Sequence, residues 1–230
     1  MRRSFLFSII AVLACACSDS GTGPLGSSKA YFRVFNTAAE GQTIDASVDG
    51  KDVVLALGAG HVSPNIQIPA GTHSIGLRVA GNVLHAPPPM DVTFSTGDTT
   101  TVFVFDSSSV LSPWVLPDTG ALVAAGKTKL RVANFVTSGP PVLFYRTQPD
   151  AQTPLSVMFP FPYGEVSPYM ESTPGDWQVF MSTEHYSIEG EPVQLDTLAT
   201  SPAISIPVGQ SRTVVFFVMG GQVTVKVLAP

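Results

Sequence analysis

Four histidines are the residues of this chain best suited by type to metal binding or acid–base catalysis. They stand at His61, His73, His85 and His185. Strands related by a hairpin would bring His73 and His85 together, but no His-x-His pair gives the ligand spacing of a transition-metal site. The Gly-x-Ser-x-Gly turn that exposes a nucleophilic serine is also absent from the sequence. We therefore interpret the histidines as polar surface residues and predict no metal site.

Carboxylates are the second group that could do chemistry. Asp45, Asp49 and Asp52 lie close together, but the alternating oxygen-donor loop that calcium prefers is missing. We predict no catalytic residue and no cofactor, and hence a non-enzymatic protein. The alternative is a carbohydrate-active or other hydrolase, whose two carboxylates would come within about 5 to 10 Å of each other only in the fold.

One aromatic stretch, Met-Phe-Pro-Phe-Pro-Tyr-Gly at 158–164, stands out as a candidate binding surface. Its two prolines are incompatible with a regular central strand, which predicts an irregular loop. Exposed aromatic side chains rimmed by polar groups commonly bind sugars or proteins. We therefore predict that Phe159, Phe161 and Tyr163 contact a protein or glycan partner. The alternative is that these rings fill the end of a domain or the joint between domains.

The N-terminus predicts export and a lipid anchor. Two arginines precede an apolar run at 5–14, which is too short to span a bilayer and is typical of a signal peptide, here 1–16. The sequence Leu-Ala-Cys-Ala-Cys at 13–17 resembles the lipobox of bacterial lipoproteins, in which the cysteine after the cut receives the lipid. We favour Cys17, with Cys15 as the alternative. A polar tether at 17–28 would then hold the protein at a membrane of the cell envelope, facing the periplasm or the cell surface.

Composition restricts the partners and the means of stabilisation. The 230-residue chain has a formal net charge of −5, and no lysine or arginine cluster follows the signal peptide. Nucleic acid is therefore not expected as a partner. Both cysteines lie at the end of the signal peptide, so no disulfide is expected to stabilise the mature part.

The mature sequence contains an internal repeat. Three landmarks occur in the same order in both halves, and the second copy is offset by 98, 104 and 112 residues: an Arg-Val-x-Asn segment (33–36 and 131–134), Val-Ser-Pro (62–64 and 166–168), and a glycine turn before an apolar run (97–105 and 209–217). The repeat predicts two domains at 29–117 and 127–230, joined by a linker at 118–126.

Residue alternation predicts that both domains are all-β. Ile75, Leu77 and Val79 alternate with polar residues, as in a strand with one buried face, whereas the apolar run at 214–219 suits a strand buried on both faces. Asp49-Gly50 is a two-residue hairpin signal. About seven strands per copy with regular turns indicate two immunoglobulin-like β-sandwich domains in tandem after a signal peptide.

Three segments carry a resemblance to a known family. The segments at 129–134, 44–51 and 68–73 are similar to signature segments of the bacterial envelope family called domain of unknown function 4397. The sequence departs from the family where Asn36 and Asn134 replace a frequent histidine, and where 143–146 lacks the hairpin turn. The resemblance implies a doubled, exported β-sandwich, often on a lipoprotein, with no known activity. We accordingly expect a cell-envelope lipoprotein that binds a protein or glycan or serves as a structural module.

Overall fold

The fold is known from a computed structural model. The structure describes residues 28–38, 41–80, 86–107, 110–118, 122–136, 142–148, 155–156, 161–185 and 194–230. The described residues form an all-β structure, and they include no helix that could cross a membrane.

The first half of the chain forms two sheets of four strands each. Its strands are β1 (Lys29–Asn36), β2 (Ile44–Val48), β3 (Lys51–Leu57), β4 (Ile66–Pro69), β5 (Gly71–Val79), β6 (Met90–Phe94), β7 (Thr99–Ser107) and β8 (Val110–Pro117). The sheets have the strand orders β4-β1-β7-β8 and β3-β2-β5-β6. All pairs are antiparallel except β1 and β7, which run parallel.

The second half repeats this pairing order. Its strands are β9 (Thr128–Phe135), β10 (Leu143–Thr147), β11 (Leu155–Ser156), β12 (Glu165–Val166), β13 (Met170–Ser172), β14 (Gly175–His185), β15 (Gln194–Thr200), β16 (Ile204–Ile206), β17 (Ser211–Met219) and β18 (Gln222–Leu228). The sheet orders are β12-β9-β17-β18, with β13 also on β9, and β11-β10-β14-β15, with β16 also on β14. Again the one parallel pair, here β9 with β17, lies in the middle of its sheet.

The described strands therefore number eight in the first half and ten in the second, where about seven per copy were expected. The second half has more because two short strands, β12 and β13, stand where the first half has β4, and because β15 and β16 both pair with β14.

Strand β17 shows how the sheets are layered. Val214 and Phe216 belong to one apolar core, whereas Val215 and Phe217 belong to another. Since neighbouring side chains of a strand point to opposite faces, β17 is buried on both. This confirms the prediction for 214–217 of the apolar run at 214–219, whereas Met219 is 42% exposed.

Three apolar cores result from this layering. The first fills the first half, and the second fills the second half. The third lies between the sheets β4-β1-β7-β8 and β12-β9-β17-β18, because it draws its residues from β1, β7, β9, β17 and β18. We call the sheets β4-β1-β7-β8 and β12-β9-β17-β18 the inner sheets and the other two the outer sheets. The chain is thus a four-layer stack whose middle layer of side chains joins the two halves.

Local motifs of the sequence also take the predicted forms. Asp49 and Gly50 turn β2 into β3 with φ of 50° and 78°, the left-handed pair that a two-residue hairpin needs. In the repeated Val-Ser-Pro motif, Ser63 Oγ accepts a hydrogen bond from the backbone N–H of Val34, and Ser167 Oγ accepts one from Val132, both at 2.9 Å. Each serine hydroxyl thereby satisfies a strand N–H in place of a backbone carbonyl.

Candidate functional site

One arginine lies within a central strand of the inner sheet in each half. Arg33 in β1 and Arg131 in β9 occupy equivalent places in the repeat, and each side chain points into the layer between the inner sheets. Arg33 Nε donates to Thr101 Oγ1 at 2.9 Å, and Arg131 Nε donates to Thr213 Oγ1 at 2.8 Å. Both threonines lie opposite their arginine in the parallel pairs β1–β7 and β9–β17. The register of the parallel strand pair in each half thus places a threonine beside the arginine and fixes the position of its guanidinium.

A single carboxylate joins the two arginines. Asp118, which follows β8, is 2% exposed. Its Oδ2 accepts from Arg33 Nη2 at 2.9 Å and from Thr101 Oγ1 at 2.5 Å, and its Oδ1 accepts from Arg131 Nη2 at 2.9 Å. We call this Arg33–Asp118–Arg131 arrangement the triad. It links one side chain from each half through a residue between them.

The arginines also bind the halves crosswise. Arg33 of the first half donates to the carbonyl of Ala229, just after β18, at 2.6 Å. Arg131 of the second half donates to the carbonyl of Pro117, at the end of β8, at 3.1 Å. Each arginine therefore holds the end of the other half's last strand.

Aromatic rings pack across the same layer as the triad. Phe103 stacks on Phe135 with ring centroids 5.0 Å apart, and Phe35 meets Phe217 edge to face at 5.4 Å. In both pairs one ring comes from each half. Fully buried phenylalanines and a saturated ion triad make this layer, which we call the junction, a continuous core.

Burial controls the electrostatics of the triad. Desolvation raises the pKa of the Asp118 carboxyl above its usual value, against the hydrogen bond from Thr101 and the charges of Arg33 and Arg131. Desolvation likewise lowers the pKa of Arg131. The charged forms are therefore held at a cost, as is usual for buried ion pairs, which fix geometry more than they add stability. The carboxylate oxygens are engaged by partners that cannot be released without loosening the junction.

A cavity of about 400 Å³ opens beside Asp118. It is lined by Asp118, Val123, Gly209, Gln210, Ser211, Arg212, Ala229 and Pro230. The guanidinium of Arg212 is bound to Gln210 Oε1 at 2.6 Å and to the Ser211 carbonyl at 2.8 Å. Asp118 is thus paired with the two arginines of the triad, and the Arg212 guanidinium is hydrogen-bonded to two neutral groups.

The aromatic stretch lies in a different place from the one predicted. Phe161 is 7% exposed and packs in the core of the second half, edge to face with Phe144 at 6.0 Å. Tyr163 is half-buried at the junction, with its ring 5.4 Å from that of Phe105 and its hydroxyl donating to the Asp106 carbonyl at 2.6 Å. Burial raises the pKa of Tyr163 to about 12.

The prediction of an exposed aromatic surface is therefore wrong for Phe161. Tyr163 packs at the junction between the halves. The described part of the segment, 161–164, is irregular, with one isolated bridge between Phe161 and Val142 followed by a turn. The rings of Phe161 and Tyr163 point inward, where burial of their apolar surface is favourable. Asn134 fixes the backbone there by donating from Nδ2 to the carbonyls of Phe161 and Pro162, at 3.0 and 3.3 Å. Asn36 plays the equivalent part in the first half by donating to the Leu57 carbonyl at 2.8 Å.

The aspartates considered for chemistry are paired with cations on an outer sheet. Asp52 forms two hydrogen bonds with Arg78, both at 2.8 Å, and Asp45 lies 3.1 Å from the same guanidinium. Asp49 is bound to His73 Nδ1 at 2.7 Å. Within the part of the chain that the structure describes, no three His, Cys, Asp or Glu residues come together as metal ligands.

Some predicted residues fall outside the described part of the chain. Cys15 and Cys17, with the signal peptide, lie there, as do Phe159 and His85. The lipid-attachment prediction therefore rests on the sequence.

Sequence reasoning missed Asp118, which it assigned to the linker. The signal was present in the two arginines, since an arginine within a buried strand requires a buried counter-charge. The repeat contains two such arginines, whereas the sequence around the linker contains one aspartate after the apolar β8.

Comparisons with known proteins identify one family. The profile of the family described as Domain of unknown function (DUF4397) matches residues 30–145, which is half of the chain. No curated protein sequence matches the chain significantly. Two solved structures show a distant likeness: a leucine-rich repeat protein from Bacteroides thetaiotaomicron VPI-5482, at 15% identity and a TM-score of 0.26, and the Bacillus anthracis TIE protein, at 13% and 0.27. The alignments cover 81% and 83% of this chain but only 26% and 34% of those proteins.

Proposed function

This chain belongs to the family described as Domain of unknown function (DUF4397), and we propose that it is a non-enzymatic lipoprotein of the cell envelope. In this proposal Cys17 carries the lipid, and two immunoglobulin-like sandwiches stand off the membrane as one rigid body. That body binds a protein or glycan partner or serves as a structural module.

The observation that carries the proposal is the use made of the repeated polar side chains. Arg33 and Arg131 are hydrogen-bonded within the triad and to strand ends, and the repeated asparagines, Asn36 and Asn134, donate to loop carbonyls. A repeated polar residue of an enzyme would instead be expected to face a cleft with its functional atoms free for substrate. These contacts favour an architectural role for the segments that define the repeat.

The repeated pairing order supports two copies of one domain. Strands β1, β7 and β8 have the partners that β9, β17 and β18 have, including the central parallel pair. Together with the sequence offsets, this similarity favours a duplication, and the two packed sheets of each half favour immunoglobulin-like sandwiches.

The hydrolase alternative gains no support from the paired aspartates. A general acid requires a carboxyl with a raised pKa, whereas the hydrogen bonds from Arg78 lower the pKa of Asp52. Burial raises the pKa of Asp118, but both of its carboxylate oxygens are already bonded, to Arg33, Arg131 and Thr101. We therefore retain the non-enzymatic proposal.

Metabolic labelling with palmitate tests the anchor. We expect label in the wild-type protein and none after Cys17→Ala, with Cys15→Ala as the matched control that keeps its label. Label that is lost only with Cys15→Ala would move the anchor to Cys15. A protein that is never labelled would contradict the lipoprotein proposal.

Crosslinking on intact cells tests the binding role. The wild-type chain should capture the same envelope protein or glycan in repeated experiments, and the Cys17→Ala chain, released from the membrane, should capture much less of it. Turnover of glycoside or ester substrates by the purified protein, abolished by Asp45→Asn with Asp52→Asn, would contradict the non-enzymatic proposal.

A further inference from the structure

Among the described strands, the last strand of the second half lacks a hydrogen-bonded partner on one side, although β15 of the outer sheet comes within 8 Å of it, measured between Cα atoms. Strand β18 pairs with β17 through seven consecutive residues without a register shift, and no described strand is hydrogen-bonded to its other side. The Lys129 N–H donates to the Gln210 carbonyl, so the even-numbered residues of β17 direct their backbone N–H and C=O groups toward β9. Their partners in β18 therefore direct their N–H and C=O groups outward; these are Val223, Val225 and Val227.

The equivalent edge of the first half is blocked. The Thr37 N–H donates to the Val104 carbonyl, so the even-numbered residues of β7 direct their backbone N–H and C=O groups toward β1. Their partners in β8 include Pro113 and Pro117, whose nitrogens consequently face outward. Proline cannot donate a hydrogen bond, and proline on an edge strand prevents another strand from pairing there. Val225 stands in β18 where Pro113 stands in β8, because Phe216 corresponds to Val104.

Other described edges are short or irregular. Strand β3 has two register shifts against β2 and contains Ala56 in a left-handed conformation with φ of 49°. The pairing of β15 with β14 is interrupted by a register shift at Met181. Strand β6 pairs regularly with β5 but has only five residues, and β4, β11, β12, β13 and β16 have four residues or fewer. Edge protection is general in β proteins, and β18 has only one such feature, the charge of Lys226, whereas it lacks proline and has no register shift.

We propose that the outer edge of β18 pairs antiparallel with β18 of a second copy of this chain. The sequence of the edge is self-complementary. With Val225 opposite Val225 of the second copy, Val223 lies opposite Val227, and these pairs would exchange about six backbone hydrogen bonds. Such a two-fold contact closes on itself and yields a dimer, not a fibre.

The side chains agree with this register. It places Lys226 opposite Thr224 of the second copy, so the two lysines do not face each other and like charges are not paired. The three valines pack against the core of the second half and are partly buried, so their side chains lie on one face of the strand. In the dimer, the β12-β9-β17-β18 sheet of one copy and the same sheet of the second copy would join into one continuous sheet.

This inference does not depend on the proposed function. A dimer could form whether or not the protein is lipidated or binds a glycan. Lipid labelling and dimer formation are also measured separately, so the failure of one is distinguishable from the failure of the other.

Disulfide crosslinking of the full chain in intact cells tests the register. Residues 224 and 226 form the closer, non-hydrogen-bonded pairs, at a Cα separation of about 4.5 Å, which a disulfide can bridge. Thr224→Cys with Lys226→Cys should therefore give a species of twice the mass under a mild oxidant. The matched control is Ser112→Cys with Trp114→Cys at the equivalent positions of β8, which should remain monomeric.

Adding Val225→Pro to the double-cysteine chain should abolish the crosslink. The substitution removes a donor from the outer edge and spares the β17–β18 ladder, as Pro113 does in β8. Val225→Ala, which keeps the donor, should leave the crosslink in place. Protease resistance equal to that of the wild type shows that each variant is folded.

Three results would overturn the proposal. The first is a folded double-cysteine chain that stays monomeric. The second is equal crosslinking at the β8 control pair, and the third is a crosslink to a different protein, which would assign the edge to another partner.

Discussion

Replacing Asp118 with alanine should destabilise the protein more than any exposed charge deletion. The substitution removes the only carboxylate of the triad and leaves Arg33 and Arg131, both largely buried, without a counter-charge. Breaking a buried ion pair by removing one partner typically costs about 3 to 5 kcal/mol. Since a domain is stable by about 5 to 15 kcal/mol in total, we expect a large loss.

Urea unfolding followed by circular dichroism measures this loss. We expect one cooperative transition for the wild type, in which the junction couples the halves, and a lower midpoint for Asp118→Ala. The matched control is Asp52→Ala, which removes a carboxylate from an exposed arginine pair and should leave the midpoint nearly unchanged.

A second variant separates charge from packing. Replacing the whole triad by apolar residues, as in Arg33→Met, Asp118→Leu and Arg131→Met, leaves no unpaired charge, and such exchanges are often neutral or stabilising. We expect this triple variant to be more stable than Asp118→Ala alone. A midpoint for Asp118→Ala that corresponds to a loss below about 1 kcal/mol would refute the reasoning, because the arginines would then have water or another acid as a partner.

Three further outcomes are expected. Phe161→Ala should lower the free energy of unfolding by about 3 to 5 kcal/mol, measured in urea, because its ring is core; a change near zero would restore a surface role. Phe103→Ala should cost a similar amount and should also split the unfolding transition in two, since Phe103 belongs to the junction. The hydrogen bond between His73 and Asp49 raises the pKa of His73 and lowers that of Asp49. Its contribution to stability is therefore fully present between about pH 4 and 6.5. It is lost as the pH rises through the His73 pKa and as the pH falls through the Asp49 pKa. The melting temperatures of wild type and His73→Gln should therefore differ most near pH 5.5 and converge at pH 9, and a difference that is constant with pH would contradict this assignment.

Features governed by local periodicity were predictable from the sequence. The apolar run at 214–219 indicated a strand buried on both faces, and both of its faces are core. The Asp49-Gly50 hairpin followed from the left-handed backbone that these residues tolerate.

Features governed by the packing of the halves were not predictable. Whether Phe161 points inward depends on how Asn134 holds its loop, which no local pattern encodes. The role of Asp118 depends on two arginines 98 residues apart reaching the same carboxylate. The two strand arginines indicate that a buried counter-charge is needed, but only the face-to-face packing of the inner sheets brings both of them to Asp118.

The central claim is that the triad and its aromatic surroundings join the two halves into one rigid body. Spin labels at Leu55→Cys and Val208→Cys, one exposed site in each half, allow a distance measurement between the halves when Cys15 and Cys17 are changed to serine. We predict one narrow distance distribution for the otherwise wild-type chain and a broad one after Asp118→Ala. A broad distribution before that substitution, or a narrow distribution unchanged by it, would contradict the claim.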